Sequence, residues 1–558
     1  MTNKKFKLAA MSLATAVAVS AVGPSASAVT YYLGNGSVTV DQDGNGAFSY
    51  QGEDQGDKNR TYVNEDKADK GVIYVKDGNA PTGEVPPTTD NSDNGTEVPI
   101  PTDNDTQSTD ASGNNTENSS TSETAPGNTI TVKEGVKDAT IVVDGVNVDT
   151  STSTDTPTEV SADTKEDKTI IKVGEGADVD LTVKDSNLTT GGNGIDIGVN
   201  LNGEDENKKT NVDLTLDNTK INLTENATAG INARDNSDVD ITLKGDNTID
   251  GSEAIDKVTE GGGHDISKDN VNIEGIRVGG EGASDSSDAS EGANTKLTIS
   301  GGVEKTETAE TDTEETESSA GGSLTISDTT GGLVMADGSD VGITDGADVT
   351  IKDTKTSGAG QAGRAVTQHG DLTISGGSSL TIDGVEDNNA PHTGIGIASW
   401  DEITVEGGST LDISGATTGI YGHQGSDASL TVEDSTLNIS DVSRGIDYEG
   451  KNVDEGIESA GDISFKDSSV TISAEGAGAI ITGDNGNSSL TFDHTEANLN
   501  ATKGKAIYAG DKVGSDGNLT ITNGSKLNIE ADRGIWAGYK EVTIDNSTVN
   551  SKTVAQGF

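Results

Sequence analysis

Leu372–Ile382 reads LTISGGSSLTI, two apolar–polar–apolar triplets joined by a turn rich in Gly and Ser. The alternation places Leu372 and Ile374 on one face of an extended segment and Thr373 on the other. The same pair recurs down the chain. It reads ITV and LDI from Ile403 and Leu411, LTV and LNI from Leu430 and Leu437, and ISF and VTI from Ile463 and Val470. LTF and ANL follow from Leu490 and Ala497, LTI and LNI from Leu519 and Leu527, and VTI and VNS from Val542 and Val549. The two triplets of a pair start 7 or 8 residues apart, and successive pairs start 23 to 33 residues apart. Three residues make no sheet alone, so the unit must stack on copies of itself, as in a solenoid.

Each repeat also carries a small residue followed by an apolar one. The pairs are Gly394-Ile395, Gly419-Ile420, Gly445-Ile446, Ala479-Ile480, Ala506-Ile507 and Gly534-Ile535. This landmark is read as a third strand that opens at a tight corner, where Gly relieves steric limits. Three short strands per coil predict an all-β fold, a right-handed parallel β-helix with ladders of Leu, Ile and Val inside. Looser copies at Leu181, Leu214, Ile241, Leu297 and Val341 bring the count to about twelve coils, a rod of roughly 58 Å at ~4.8 Å per strand. The composition agrees, because 30% hydrophobic residues would starve a globular core of this length but suffice for a narrow apolar column.

The chain divides on the same reading. Residues 1–28 carry Lys4, Lys5 and Lys7, an apolar run from Leu8 to Val22, and Ala26-Ser27-Ala28, the pattern of a secretory signal peptide. The expectation is a secreted or cell-surface protein, with no transmembrane segment in the mature chain. Residues 29–79 read as a small β-rich unit with strands SVTV (37–40), AFSY (47–50) and VIYV (72–75). Residues 80–128, rich in Pro, Thr, Asp and Asn, read as an extended linker. The helix spans 129–558, interrupted by acidic inserts near 252–274 and 303–320. No cysteine is present, so stability comes from stacking rather than disulfides.

The net charge is −58, which argues against nucleic acid or an anionic membrane as partner. Carboxylates Glu406, Glu433, Asp493 and Asp545 share one outward column, which like-charge repulsion would strain and Ca²⁺ would relieve. Asp41, Asp43 and Asn45 match the start of a calcium-loop pattern. A hairpin turn between the flanking strands accounts for the same residues.

Outward residues following the third-strand Ile include Tyr421, Tyr508 and Trp536, in a chain with 2 Trp, 9 Tyr and 5 Phe. Two positions before that Ile stand Arg364, Thr393, Thr418, Arg444, Gly478, Lys505 and Arg533. Tyr421, Tyr508, Trp536, Arg444, Lys505 and Arg533 are the candidate ligand-binding residues. An aromatic strip beside a basic strip makes a shallow groove for an acidic glycan. The competing account is that the rings shield a sheet face and the cations offset nearby carboxylates. The five histidines are read as occupying different positions in their coils, and no catalytic motif is found.

The phrases NVDLTLDNTKINL (211–223), AGINARDNSDVDITLKGDNTIDG (229–251) and GGSSLTIDG (376–384) resemble repeats of secreted bacterial β-helix surface proteins, described as adhesin-like or carbohydrate-binding-like. They also look like autotransporter passengers. The resemblance covers about 129–558. It implies an extracellular, wall-associated or secreted protein displaying a rod. The first expectation for its function is a non-catalytic adhesin or glycan-binding rod that meets an extracellular glycan or a host- or cell-surface partner. A β-helix polysaccharide lyase or hydrolase and a purely structural spacer are the alternatives.

Overall fold

The computed structural model describes residues 29–33, 37–42, 48–52, 60–64, 72–77, 125–126, 128–151, 168–202, 208–255, 272–280, 294–302, 321–356, 363–386, 394–423, 428–448, 461–482, 488–509 and 517–556. The signal-peptide segment and the 303–320 insert lie outside these residues.

Every first strand read from the sequence stacks in parallel on the next, in register. Leu372 faces Ile403, then Leu430, Ile463, Leu490, Leu519 and Val542 in successive coils. These strands belong to one sheet of fifteen, and its inward residues through Leu519 and Ile521 are 0–2% exposed from Val341 onward. Burying each such side chain contributes about 1.5–3 kcal/mol. The second and third strands form the other two walls, giving a right-handed parallel β-helix. From Thr410 onward they fuse into single bent strands such as Thr410–Gly422 and Glu496–Ala509. The second and third walls are therefore one continuous sheet of 25 strands. Left-handed residues Gly384, Gly415 and Asp441 sit at the bend.

The corner between first and second strands has a simple local cause. It needs positive φ, and the chain supplies Asp185, Asn218, Gly245, Asp434, Asp467, Asn523 and Asn546 there. His494 takes the same corner with φ 49°.

The glycine of the third-strand landmark has a different cause from the expected one. At Gly396, Gly419 and Gly445 it does not open a corner but sits within the wall, crowded by an Ile of the second strand, whereas Gly394, with φ 70°, does stand at a corner just before its strand. A Cβ on Gly419 would come 2.7 Å from Ile439 Cγ2 and 2.7 Å from the Gly445 carbonyl oxygen. Close approach, not a special dihedral, selects glycine here.

The N-terminal region also departs from expectation. Val29–Tyr32 pairs with Val72–Lys76, which stacks directly on Ala139–Asp144 of the rod. Val38–Gln42 pairs in parallel with Ile130–Val132 and, antiparallel, with Phe48–Gly52. Residues 29–79 are thus not a separate unit before a linker. The described strands among them share the rod's apolar alternation and join its walls, and most of the 80–128 stretch lies outside the described residues. At the other end Val542 and Ile544 are exposed, whereas Leu519 and Ile521 one coil earlier are fully buried.

Candidate functional site

The outer face of the third wall differs chemically from the other two. All five arginines of the span 129–558 (Arg234, Arg277, Arg364, Arg444 and Arg533) and both tryptophans of the chain stand on the third strands or just beyond them. The register aligns Asp196, Asn232, Arg277, Val334, Thr367, Ala398, Tyr421, Asp447, Ile481, Tyr508 and Trp536 in one outward column. Outward does not mean exposed. Asp196, Asn232, Arg277, Val334, Asp447 and Ile481 are buried, and Tyr421, Tyr508 and Trp536 are half-buried.

Buried charge on this face is paired, as its desolvation requires. Asp196 accepts from Arg234 Nε at 2.9 Å and Nη2 at 2.8 Å. Asn232 and Asn193 donate to the same carboxylate, each at 2.9 Å. Glu274 pairs with Arg277 three residues on. Arg444, one of the candidate ligand-binding residues, pairs with the fully buried Asp447. Its charge is spent inside the face.

Lys505 and Arg533 are arranged differently. The Lys505 ammonium lies 3.2 Å from the Tyr508 ring centroid and 5.5 Å from that of Trp536. The Arg533 guanidinium lies 4.9 Å from the Trp536 centroid. Tyr508 and Trp536 are strand neighbours, so four candidate residues form one cation–aromatic cluster. Tyr421 does not belong to it, because Asp447 and Ile481 come between in the column.

A second cluster escaped the sequence reading. Trp400 is sandwiched between His369 and His423, with ring centroids 4.0 and 4.6 Å away and planes within 18° and 19°. Arg364 lies 5.4 Å from the Trp400 centroid, and Tyr421 meets His423 edge-on at 6.4 Å. Two histidines therefore share one column position, contrary to expectation. The miss has a traceable origin. The chain reads Gly394-Ile395-Gly396-Ile397, and it is Ile397 that faces Ile420. Ile395, not Thr393, then fills the basic column between Arg364 and Thr418. With that register, His369, Trp400 and His423 each follow the aligned Gln368, Ser399 and Gly422.

The carboxylate columns lie on the first wall. Glu406, Glu433, Lys466 and Asp493 are successive neighbours, and Lys466 forms an ion pair with Glu433. Asp213 is exposed, but partial desolvation on the crowded sheet face and then the flanking Asp180 and Asp240 raise its pKa above the ordinary carboxylate value. Asp41 of the calcium-like pattern receives the Lys133 ammonium at 2.7 Å, and the strands around it form the hairpin with Phe48 opposite Gln42. Asp43 and Asn45 lie outside the described residues. Among the described residues no group of three or more His, Asp or Glu is disposed to hold a metal ion. A groove of about 470 Å³ on the second wall is lined by Asn498, Asn528 and Asn550. Their amides bond to one another at 2.9 and 3.0 Å, clamping successive coils.

Comparison with protein-family models, curated proteins and solved structures finds no match for this chain. Among the described residues no helix is long and apolar enough to cross a membrane.

Proposed function

We propose that this chain is a secreted or surface-displayed β-helical rod that binds a glycan along the outer face of its third wall and acts as an adhesin without catalysis. The observation that carries the reading is the gathering of all five arginines of the span 129–558 and both tryptophans on or just beyond the third strands, in a chain with net charge −58. Planar cations beside aromatic rings suit sugar rings, whose apolar faces stack while their polar edges take hydrogen bonds. Binding is assigned first to Tyr508, Trp536, Lys505 and Arg533. Arg444 and Tyr421 act at a distance, Arg444 by holding Asp447 and Tyr421 by bordering the Trp400 stack.

The test is retention of residues 29–558 on a glycan array, beside the Y508A/W536A double variant. The intact chain should be retained on a defined class of glycan and the double variant lost from it. An intact chain that is retained nowhere would leave the rod as a spacer.

A further inference from the structure

Apart from the third-wall site, we infer that the groove on the second wall is a separate binding site for a linear, uncharged oligosaccharide. The sugar chain lies along the rod and meets successive coils with successive residues.

Four neighbouring coils build the groove. One outward column runs Thr471, Asn498, Asn528 and Asn550, and the column beside it runs Ser473, Asn500, Glu530 and Lys552. All of these side chains are polar. The two charges among them cancel, because Lys552 pairs with Glu530 at 2.6 Å. In a chain of net charge −58 the groove is thus a patch of no net charge. Its volume of about 470 Å³ falls within the range of small-ligand sites.

Amides dominate what the groove offers. An amide carries two N–H donors and an oxygen with two lone pairs. Asn528 donates once to Asn498, at 2.9 Å, and accepts once from Asn550, at 3.0 Å. Clamping the coils therefore uses only half of its capacity. Donors and acceptors set side by side suit hydroxyl groups, which also do both.

Clamping does not account for Asn500. It lines the same groove, yet its Oδ1 is buried with no hydrogen-bond partner among the described residues. Such an acceptor costs about 1–3 kcal/mol of stability. A polar group held at a cost to the fold, in the lining of a groove, points to a ligand. With the oxygen turned into the wall, the donor edge of the amide is left to meet a sugar hydroxyl.

The spacing suits the same ligand. Adjacent strands lie about 4.8 Å apart, so the groove spans three steps, or about 14 Å. The step is close to the advance per residue of an extended pyranose chain, and a chain parallel to the rod repeats its contacts from coil to coil.

The experiment is calorimetric titration of residues 29–558 with size-fractionated cello-, manno- and xylo-oligosaccharides. One series should bind, with affinity rising up to about four residues and then levelling off. Asn500→Ala should weaken binding by about 5- to 10-fold without lowering the melting temperature, since it removes an unpartnered acceptor. Ser473→Trp, which fills the groove, should abolish binding and decides the matter if Asn500→Ala melts below the parent. The Y508A/W536A variant should bind like the parent. No binding in any series, parent-like affinity in both groove variants, or a plateau already at the monosaccharide overturns the inference. Binding lost in Y508A/W536A but kept in both groove variants sinks it and leaves the third-wall reading standing. Loss of array retention in Y508A/W536A is scored separately, so either site can fail without the other.

Discussion

The Lys505 ammonium is stacked on the ring of Tyr508, 3.2 Å from its centroid, and Tyr508 is the strand neighbour of Trp536. The contact lies on a half-buried surface, so its worth is about 0.5–1 kcal/mol. Tyr508→Ala should lower stability by about 1–2 kcal/mol through this contact and lost apolar burial. That change is far too small to unfold a solenoid of this length. Chemical denaturation measures the stability change, and Tyr508→Phe, which keeps the ring, should recover most of it together with glycan retention.

Arg444 and Asp447 should behave as a unit. Asp447→Ala leaves a guanidinium facing a desolvated site and should cost about 3 kcal/mol. Arg444→Met with Asp447→Ala removes both charges and should recover most of that loss. Urea melts of the two single variants and the double variant form the cycle. Additive losses would mean that the pair is not coupled.

Gly419 tests the account of the third-strand landmark. Gly419→Ala would push a methyl group against Ile439 and the Gly445 carbonyl, and should cost about 1–3 kcal/mol by overpacking. Ala506→Gly, at the same position of a coil that already holds the methyl group, should cost only about 0.5–1 kcal/mol. Thermal melts compare the two. If Gly419→Ala were as mild, the close packing described for this wall would be wrong.

The landmark also shows what the sequence could and could not disclose. Strand alternation depends on neighbours two residues apart, so Leu372, Ile374 and their equivalents could be placed on the inner face directly. Which of Gly394-Ile395 and Gly396-Ile397 continues the stack depends on contacts with another coil, and the two pairs look alike locally. That ambiguity hid the His369–Trp400–His423 stack. The candidate column Tyr421, Tyr508 and Trp536 was legible in its direction but not in its depth, because burial of an outward residue is set by chain distant in sequence. Arg444 looked like part of a basic strip because Asp447, three residues on, lay in the column assigned to aromatic rings.

Asp213 makes stability depend on pH. Its side chain is exposed, yet partial desolvation on the crowded sheet face first, and then the neighbouring aspartates Asp180, Asp240, Asp178 and Asp238, raise its pKa. The folded state therefore binds the proton more tightly than the unfolded chain. Stability from this group is highest below the ordinary carboxylate pKa, falls as pH rises through the raised value, and stays lowered above it. Asp213→Asn should raise the melting temperature at pH 7 and change it little at pH 3. A gain at pH 3 as large as at pH 7 would remove the charge explanation. Added salt should shrink the neutral-pH gain by screening the flanking carboxylates.

The sequence separation of paired strands differs along the rod, which bears on the order in which it comes together. Most neighbours in the stack are one coil apart along the chain, as with Leu411 and Leu437, so the walls can zip by local steps. Asn247 and Leu324, and likewise Ile73 and Ile141, meet only after a much longer segment has closed. Each doubling of a closing loop costs only about 0.6 kcal/mol, so the finished joints are almost as strong as the others. Two blocks, one on either side of the Asn247–Leu324 joint, are thus able to form independently and dock late. The molecule has the seams of a two-piece assembly, which refolding kinetics should reveal and equilibrium stability should barely register.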